Sequence, residues 1–121
     1  MKRDLVIALV GARSRVGRTL AARLRAEGHT VLPVPRHYGL LPGSDLLIHL
    51  GGGLRRLSAR IPDAVMLPER LLTTSSRVGK IRELGIDVAP LKLDDLRPEE
   101  AVDLILWAIH HLEGQPALEN A

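Results

Sequence analysis

The segment with the clearest chemical signal is GARSRVG, residues 11–17, which lies between a predicted strand and a predicted helix. At such a turn, a first glycine lets backbone amides and the helix N-terminus face a phosphate, and a later glycine lets the helix pack closely on the strands. Gly11 and Gly17 hold these two positions. Ser14 replaces the middle glycine, and its small side chain offers a hydroxyl that could donate to a phosphate.

Positive charge surrounds this turn. Arg13, Arg15 and Arg18 would screen phosphates, and residues 1–60 carry eleven Lys/Arg against three Asp/Glu, whereas residues 61–121 carry six against eleven. This asymmetry of +8 against −5 favours a phosphate-bearing ligand in the N-terminal half, although complementary charges across a subunit contact would produce it too. Glycines at this kind of turn also serve packing alone, so a purely structural turn is the alternative interpretation.

Other site types fit the sequence less well. A Walker-type loop would need glycine where Ala12 stands and lysine where Arg18 stands. The chain has no cysteine, which excludes thiolate chemistry, and its five histidines lack metal-ligand spacing, so we expect no metal site. His49 is the best-placed titratable residue, because it ends a predicted strand at the edge where doubly wound sheets bind ligands. The alternative is a histidine that packs against the adjoining loop.

Hydrophobic runs and turn residues alternate in a βαβ-like order. The patterns predict helices over residues 14–27, 76–84 and 98–112. They predict strands over residues 4–10, 30–34, 44–50, 64–67 and 86–91. Residues 70–76 are compatible with a strand or a loop, because adjacent threonines and serines form helices poorly. The sequence therefore predicts an α/β fold, a three-layer Rossmann-like domain with a mainly parallel sheet of about five strands.

Length and composition predict one domain over residues 1–121, cytoplasmic and without a membrane span, since the longest uncharged apolar run covers only residues 104–109. The scarcity of side-chain amides predicts a thermophilic source. Leu104 and Trp107 lie off the apolar stripe of the last helix, so we expect a second buried face and a homo-oligomer. Tyr38 and Trp107 are the only Phe, Trp or Tyr side chains, which argues against single-strand nucleic-acid binding. Duplex backbone binding would need only the arginines and stays an alternative, but a small nucleotide is the expected ligand.

Residues 11–36, GARSRVGRTLAARLRAEGHTVLPVPR, followed by SDLLIHLGGG at residues 44–53, resemble the N-terminal part of extended or atypical short-chain dehydrogenase/reductases. The resemblance covers about residues 4–53 and implies a Rossmann domain that binds NADP or NAD. It places the dinucleotide pyrophosphate on Gly11, Ser14 and Gly17, with Arg13 and Arg15 beside it. It further implies that Arg36 lies near the adenosine ribose, where a basic residue favours NADP, and that Gly51 and Gly52 pass the ribose and nicotinamide side.

The catalytic pattern of that family is absent. Its general acid–base pair is a tyrosine and a lysine four residues later, but Tyr38 has Pro42 at that offset. The resemblance therefore implies a reduced dinucleotide-binding core. A minimal oxidoreductase that uses His49 or Ser75, and an oligomeric scaffold without a ligand, are the alternatives.

A second resemblance points to a different cofactor. VGARSRVGRTLAARLRAEGHTVLPVPRHY at residues 10–38, with PDAVMLPE at 62–69 and ELGIDV at 83–88, is similar to CoA-binding Rossmann domains. The chain departs from that family in a short segment between its second and third strands. CoA is accordingly the alternative to NADP or NAD.

Overall fold

The computed structural model of the chain describes residues 4–35, 43–50, 68, 70–74 and 85–113. Within them the chain order is β1 (Val6–Val10), α1 (Arg15–Ala26), β2 (Thr30–Val34), β3 (Leu46–His49), β4 (Arg70–Thr73), β5 (Asp87–Pro90) and α2 (Pro98–Glu113). Apart from β4, each of these elements lies in a segment for which the sequence predicted the same type of element. β4 lies in residues 70–76, for which the sequence was compatible with a strand or a loop. The strand predicted over residues 64–67 and the helix predicted over residues 76–84 lie outside the described residues.

The five strands form one sheet in the order β2-β1-β3-β4-β5, and every pairing is parallel. The register aligns Val10, His49, Thr73 and Pro90, so the carboxyl ends of β1, β3, β4 and β5 meet at one edge. Two strand orders are common in doubly wound folds, 2-1-3-4-5 and 3-2-1-4-5-6. The order of this sheet is the first of them. Because β2 and β3 lie on opposite sides of β1, the order reverses between β1 and β3. The predicted α/β class and five-stranded parallel sheet are confirmed.

Both faces of the sheet are buried. Ile7 and Leu72 belong to the core cluster that α1 and α2 complete, whereas their neighbours Ala8 and Leu71 face the other way and are equally inaccessible. Near-continuous apolar strands of this kind are typical of parallel sheets covered on both sides. The two described helices lie on the same face, because they contact each other and share one core cluster. The third layer therefore stays a prediction.

The two helices bury the stripes that their spacing predicts. In α1, Leu20, Ala21 and Leu24 are buried. In α2 the residues at positions 102, 105, 106 and 109 form a buried stripe, while Leu104 is half-buried and Trp107 is exposed. Neither helix has the length and apolarity to cross a membrane.

The segment that the sequence left open between strand and loop forms β4. Leu71 and Leu72 are both fully buried, one on each face of the sheet, which requires an extended backbone here. Arg70 is held at the start of the strand by an ion pair with Asp87 of β5 (Nε to Oδ2, 3.6 Å). Burial of side chains on both faces therefore selects the strand for a segment whose composition was compatible with a strand or a loop.

Prolines stand in both edge strands, Pro33 in β2 and Pro90 in β5. Thr30 N donates to Leu5 O and Leu91 N donates to Thr73 O, so both amides point into the sheet. Backbone N–H directions alternate along a strand, and the nitrogens of Pro33 and Pro90 therefore point away from the sheet. Each open edge thus lacks a donor at that point, which disfavours pairing with another strand.

Candidate functional site

The turn between β1 and α1 lies against the end of β3, at the point where the strand order reverses. Gly11 has φ +94°, and a Cβ there would stand 2.5 Å from the carbonyl oxygen of Leu50. Leu50 N in turn donates to Val10 O (3.0 Å). Glycine is required at position 11 by its backbone conformation and by this close approach.

Gly17 brings the first turn of α1 onto the same backbone. A Cβ at this position would stand 2.1 Å from the carbonyl oxygen of Gly11 and 2.9 Å from the Cα atom of Ala12. Both contacts are with main chain, so no side-chain movement would relieve them. The two predicted glycines are therefore explained by packing, and their spacing alone does not demonstrate a ligand.

Ser14 closes the turn. Its hydroxyl donates to Gly11 O (2.8 Å) and accepts from Gly17 N (3.0 Å), which makes it the N-cap of α1. A hydroxyl has one proton to donate, and in this structure that proton is engaged within the turn. The role that the geometry gives Ser14 is to hold the loop and the helix together.

The N-terminus of α1 is open and positively charged. The amides of Arg15 and Val16 have no hydrogen-bond partner among the described residues. No acidic residue stands in the first turn, and the side chains of Arg13, Arg15 and Arg18 are exposed and form no ion pair within the described part of the chain. Unpartnered amides, the helix dipole and three cations together favour an anion at this point.

His49 lies at the same edge of the sheet, beside Val10 in the register. Its Nδ1 atom forms a hydrogen bond with Thr73 Oγ1 (3.2 Å), and both side chains are buried. Desolvation by burial lowers the pKa of His49 below its ordinary value of 6.5, so the imidazole is neutral at pH 7. Thr73 was not among the predicted site residues. Its position, a β-branched residue directly after the buried pair Leu71 and Leu72, is the sequence feature that could have indicated it.

The structure brings five of the predicted binding residues together in the β1–α1 turn: Gly11, Arg13, Ser14, Arg15 and Gly17. The other three, Arg36, Gly51 and Gly52, lie outside the described residues, as does Ser75. Within the described ranges, no group of three His, Asp or Glu side chains is arranged to hold a metal ion. Comparison with known proteins finds no family model, no curated protein and no solved structure that matches the chain.

Proposed function

We propose that this chain is a small nucleotide-binding module with a three-layer, Rossmann-like fold, and that its ligand is NADP or NAD. The observation that carries the proposal is the open N-terminus of α1. Two unpartnered amides, of Arg15 and Val16, stand beside three arginines without a carboxylate partner in the described part of the chain. A phosphate or pyrophosphate matches this set, because it accepts several hydrogen bonds and carries charge opposite to the helix dipole.

The position of the turn supports the same ligand class. Doubly wound sheets bind ligands outside the carboxyl ends of their strands, where the strand order reverses. The turn lies between β1 and α1, and Gly11 touches the backbone of Leu50 just beyond β3. The anion-binding groups therefore face the crevice that this architecture ordinarily offers to a nucleotide.

Each proposed residue has a distinct role. Gly11 and Gly17 let the helix approach the turn, and Ser14 fixes its closed shape. Arg13 and Arg15 contact the phosphates through charge-assisted hydrogen bonds. By resemblance to the reductases, Arg36, Gly51 and Gly52 serve the adenosine ribose and the nicotinamide side, and CoA would use the same phosphate-binding turn as the alternative ligand.

The proposal includes binding and no reaction. His49 is 4% exposed and hydrogen-bonded to Thr73, so its imidazole is positioned to support the ends of β3 and β4. Nothing else in the described part of the site replaces the missing tyrosine and lysine. We therefore give His49 a structural role.

The test is isothermal titration of the purified chain with NADP, NAD, CoA and inorganic pyrophosphate, each with Arg→Ala variants along α1. Arg15→Ala and Arg18→Ala should each weaken binding about fivefold, the loss of about 1 kcal/mol of interaction. Arg23→Ala is the matched control, because Arg23 is exposed on the same helix about 12 Å from Arg15. Its binding should stay within about twofold of wild type.

Ser14→Asp adds a negative charge beside the open amides. Aspartate keeps an acceptor for Gly17 N as an N-cap, but it cannot donate to Gly11 O, so the variant should melt below wild type. At a temperature where the variant is fully folded, it should no longer bind nucleotide. Arg36→Ala should weaken NADP more than NAD. Absence of binding by all four ligands to wild-type protein would contradict the proposal and leave the turn as a packing element.

A further inference from the structure

A concave site lies on the face of the sheet that α1 and α2 cover, next to the edge strand β5. An apolar pocket of about 400 Å³ opens between α2 and the ends of β4 and β5. Leu104, Trp107 and His111 line one wall from α2, and Leu91 and Lys92 line the opposite wall. Three strand spacings, or about 14 Å, separate β5 from β1, so this pocket is distinct from the β1–α1 turn.

The α2 wall is flat and aromatic. Trp107 is 61% exposed, although tryptophan side chains are on average largely buried. Its ring stacks on the imidazole of His111, with centroids 4.9 Å apart and planes 9° from parallel. This pair offers a preformed surface on which a planar ring can stack, and its burial by a ligand would be favourable.

The polar groups at the pocket are basic. Lys92 is exposed and has no ion pair or hydrogen bond within the described residues, and His111 is the other polar side chain among the described lining residues. No Asp or Glu belongs to that described lining. An apolar pocket with an unneutralised ammonium group at its rim is complementary to a molecule that has an apolar body and one negative charge.

We propose that this pocket binds a small aromatic carboxylate, with its ring against Trp107 and its carboxylate on the Lys92 ammonium group. The volume fits within the range of small-molecule sites, about 300–1,000 Å³. The ligand class follows from three features of the described lining residues together: a flat aromatic wall, otherwise aliphatic side chains and the Lys92 ammonium group without a partner.

The competing occupant is a second copy of the chain, which the sequence predicted for Leu104 and Trp107. Among the described residues the exposed large apolar side chains are Leu96 and Trp107 alone. A stable interface buries about 800 Å² on each partner around a core of several such residues. The described surface supplies too few of them, and its concave shape suits a small molecule better.

The test uses three naphthalenes of equal ring size and different charge: 2-naphthoate, 2-naphthalenemethanol and 2-naphthylmethylammonium. Trp107 is the only tryptophan in the chain, so its indole N–H gives a single indole cross-peak in a ¹H–¹⁵N spectrum. The naphthoate should shift this peak saturably and bind up to about fivefold more tightly than the alcohol, and the ammonium compound should bind weakest. Equal affinity for all three would overturn the proposed role of charge and with it the ligand class.

Two charge reversals locate the site. Lys92→Glu should weaken naphthoate binding about fivefold or more, whereas Arg18→Glu, the same charge change at the β1–α1 turn, should leave it unchanged. Trp107→Leu should abolish binding measured by calorimetry. The inference is overturned if Lys92→Glu binds as wild type does, or if dilution alone moves the indole peak and sedimentation shows a dimer, because a second copy would then cover the pocket.

The result does not depend on the proposed nucleotide site. The Arg15→Ala variant should bind naphthoate as wild type does, and NADP should leave the indole peak in place. A naphthoate signal that NADP displaces would contradict two separate sites and overturn the inference, whether or not NADP binds at the turn.

Discussion

At the amino edge of the sheet, side chains of the protein satisfy the first amides of β1. Leu5 N donates to His29 Nδ1 (3.0 Å), and Val6 N donates to Asp45 Oδ2 (2.8 Å). At the carboxyl edge, the amides of Arg15 and Val16 at the start of α1 have no partner within the described residues. Backbone amides are thus satisfied at the start of β1 and unpartnered at the start of α1 within the described residues.

The side chains of α1 show the same contrast. Near its C-terminus, Arg23 pairs with Asp103 of α2 (3.6 Å) and Glu27 contacts His110 of α2 (Oε1 to Nε2, 2.7 Å). At its N-terminus, Arg15 and Arg18 have no such partner in the described part of the chain. The carboxyl edge also has internal contacts, since Ser14 caps α1 and His49 is hydrogen-bonded to Thr73. The start of α1 differs from the rest, because its two amides and its arginines have no partner within the described residues. An anion-binding site at this point would use those groups.

The largest expected effect contrasts glycines at the two ends of α1. Gly17→Ala should cost about 3 kcal/mol, because its Cβ would stand 2.1 Å from a main-chain oxygen. Gly28→Ala should cost about 1 kcal/mol, since its Cβ would meet only the Asp4 side chain at 3.1 Å and the cost is mainly that of φ +96°. Urea unfolding measures both.

Equal losses for Gly17→Ala and Gly28→Ala would contradict the close contact at the turn. A Gly17 variant that fails to bind nucleotide would report a damaged turn, so the arginine variants are the better probes of the ligand.

The next largest effect lies at the amino edge. Asp45→Ala should destabilise the chain by about 2 kcal/mol, because it leaves Val6 N without its charged acceptor. Asp45→Asn keeps an acceptor oxygen and should lose less than half as much. Hydrogen exchange of the Val6 amide reports the bond directly. If the Val6 amide of Asp45→Ala exchanges at the wild-type rate, the Asp45 side chain does not protect this amide.

The strands whose apolar runs were longest were predictable from the sequence, and so was the β1–α1 turn. Periodicity located α1 and α2, because both bury a simple stripe. It did not decide Arg70–Thr73, where two leucines face opposite sides of the sheet and only tertiary burial selects a strand. Strand order could not be predicted from local sequence patterns either, because it depends on which strands pair with β1 in the folded chain.

The glycines of the turn were predictable from the sequence, and so was close helix packing as the reason for Gly17. The atoms that Gly11 and Gly17 approach, Leu50 O and Gly11 O, were not predictable, because these contacts depend on the folded backbone. Ser14 was expected to face a ligand, whereas its hydroxyl proton is engaged by Gly11 O. Asp45 and His29 act across chain separations of 39 and 24 residues, which no local pattern reveals.

An intermediate effect is expected from pH at the carboxyl edge. The pKa of His49 is lowered in the folded state from 6.5, so the unfolded chain binds the proton more readily. Stability is therefore full above about pH 6.5 and decreases as pH falls below that value towards the lowered pKa. His49→Asn removes this titration, and its stability should change less between pH 7 and pH 5 than that of wild type. The free energy of unfolding is measured with urea at both pH values. An equal decrease from pH 7 to pH 5 in wild type and in His49→Asn would show that His49 is not the group responsible.

A smaller effect tests the helix contact at the amino edge. Glu27 and His110 are partly exposed, so a double-mutant cycle with Glu27→Ala and His110→Ala should give a coupling of about 0.5 kcal/mol. The Arg23 and Asp103 pair is more exposed and serves as the control, with coupling closer to zero. If the coupling energy between Glu27 and His110 is no larger than that of the control pair, this contact does not stabilise the fold.

The smallest effect has the opposite sign and bears most directly on the contrast between the edges. Arg15 places a positive charge at the positive end of the α1 dipole without a described partner, so Arg15→Ala should stabilise the ligand-free chain by about 0.3 kcal/mol. The same variant should bind pyrophosphate less tightly. Arg23→Ala, near the favourable end of the dipole, should not stabilise. A residue that costs stability and improves anion binding is retained for the anion; if Arg15→Ala instead destabilises the chain, Arg15 belongs to the fold, and the two edges do not differ in the way proposed.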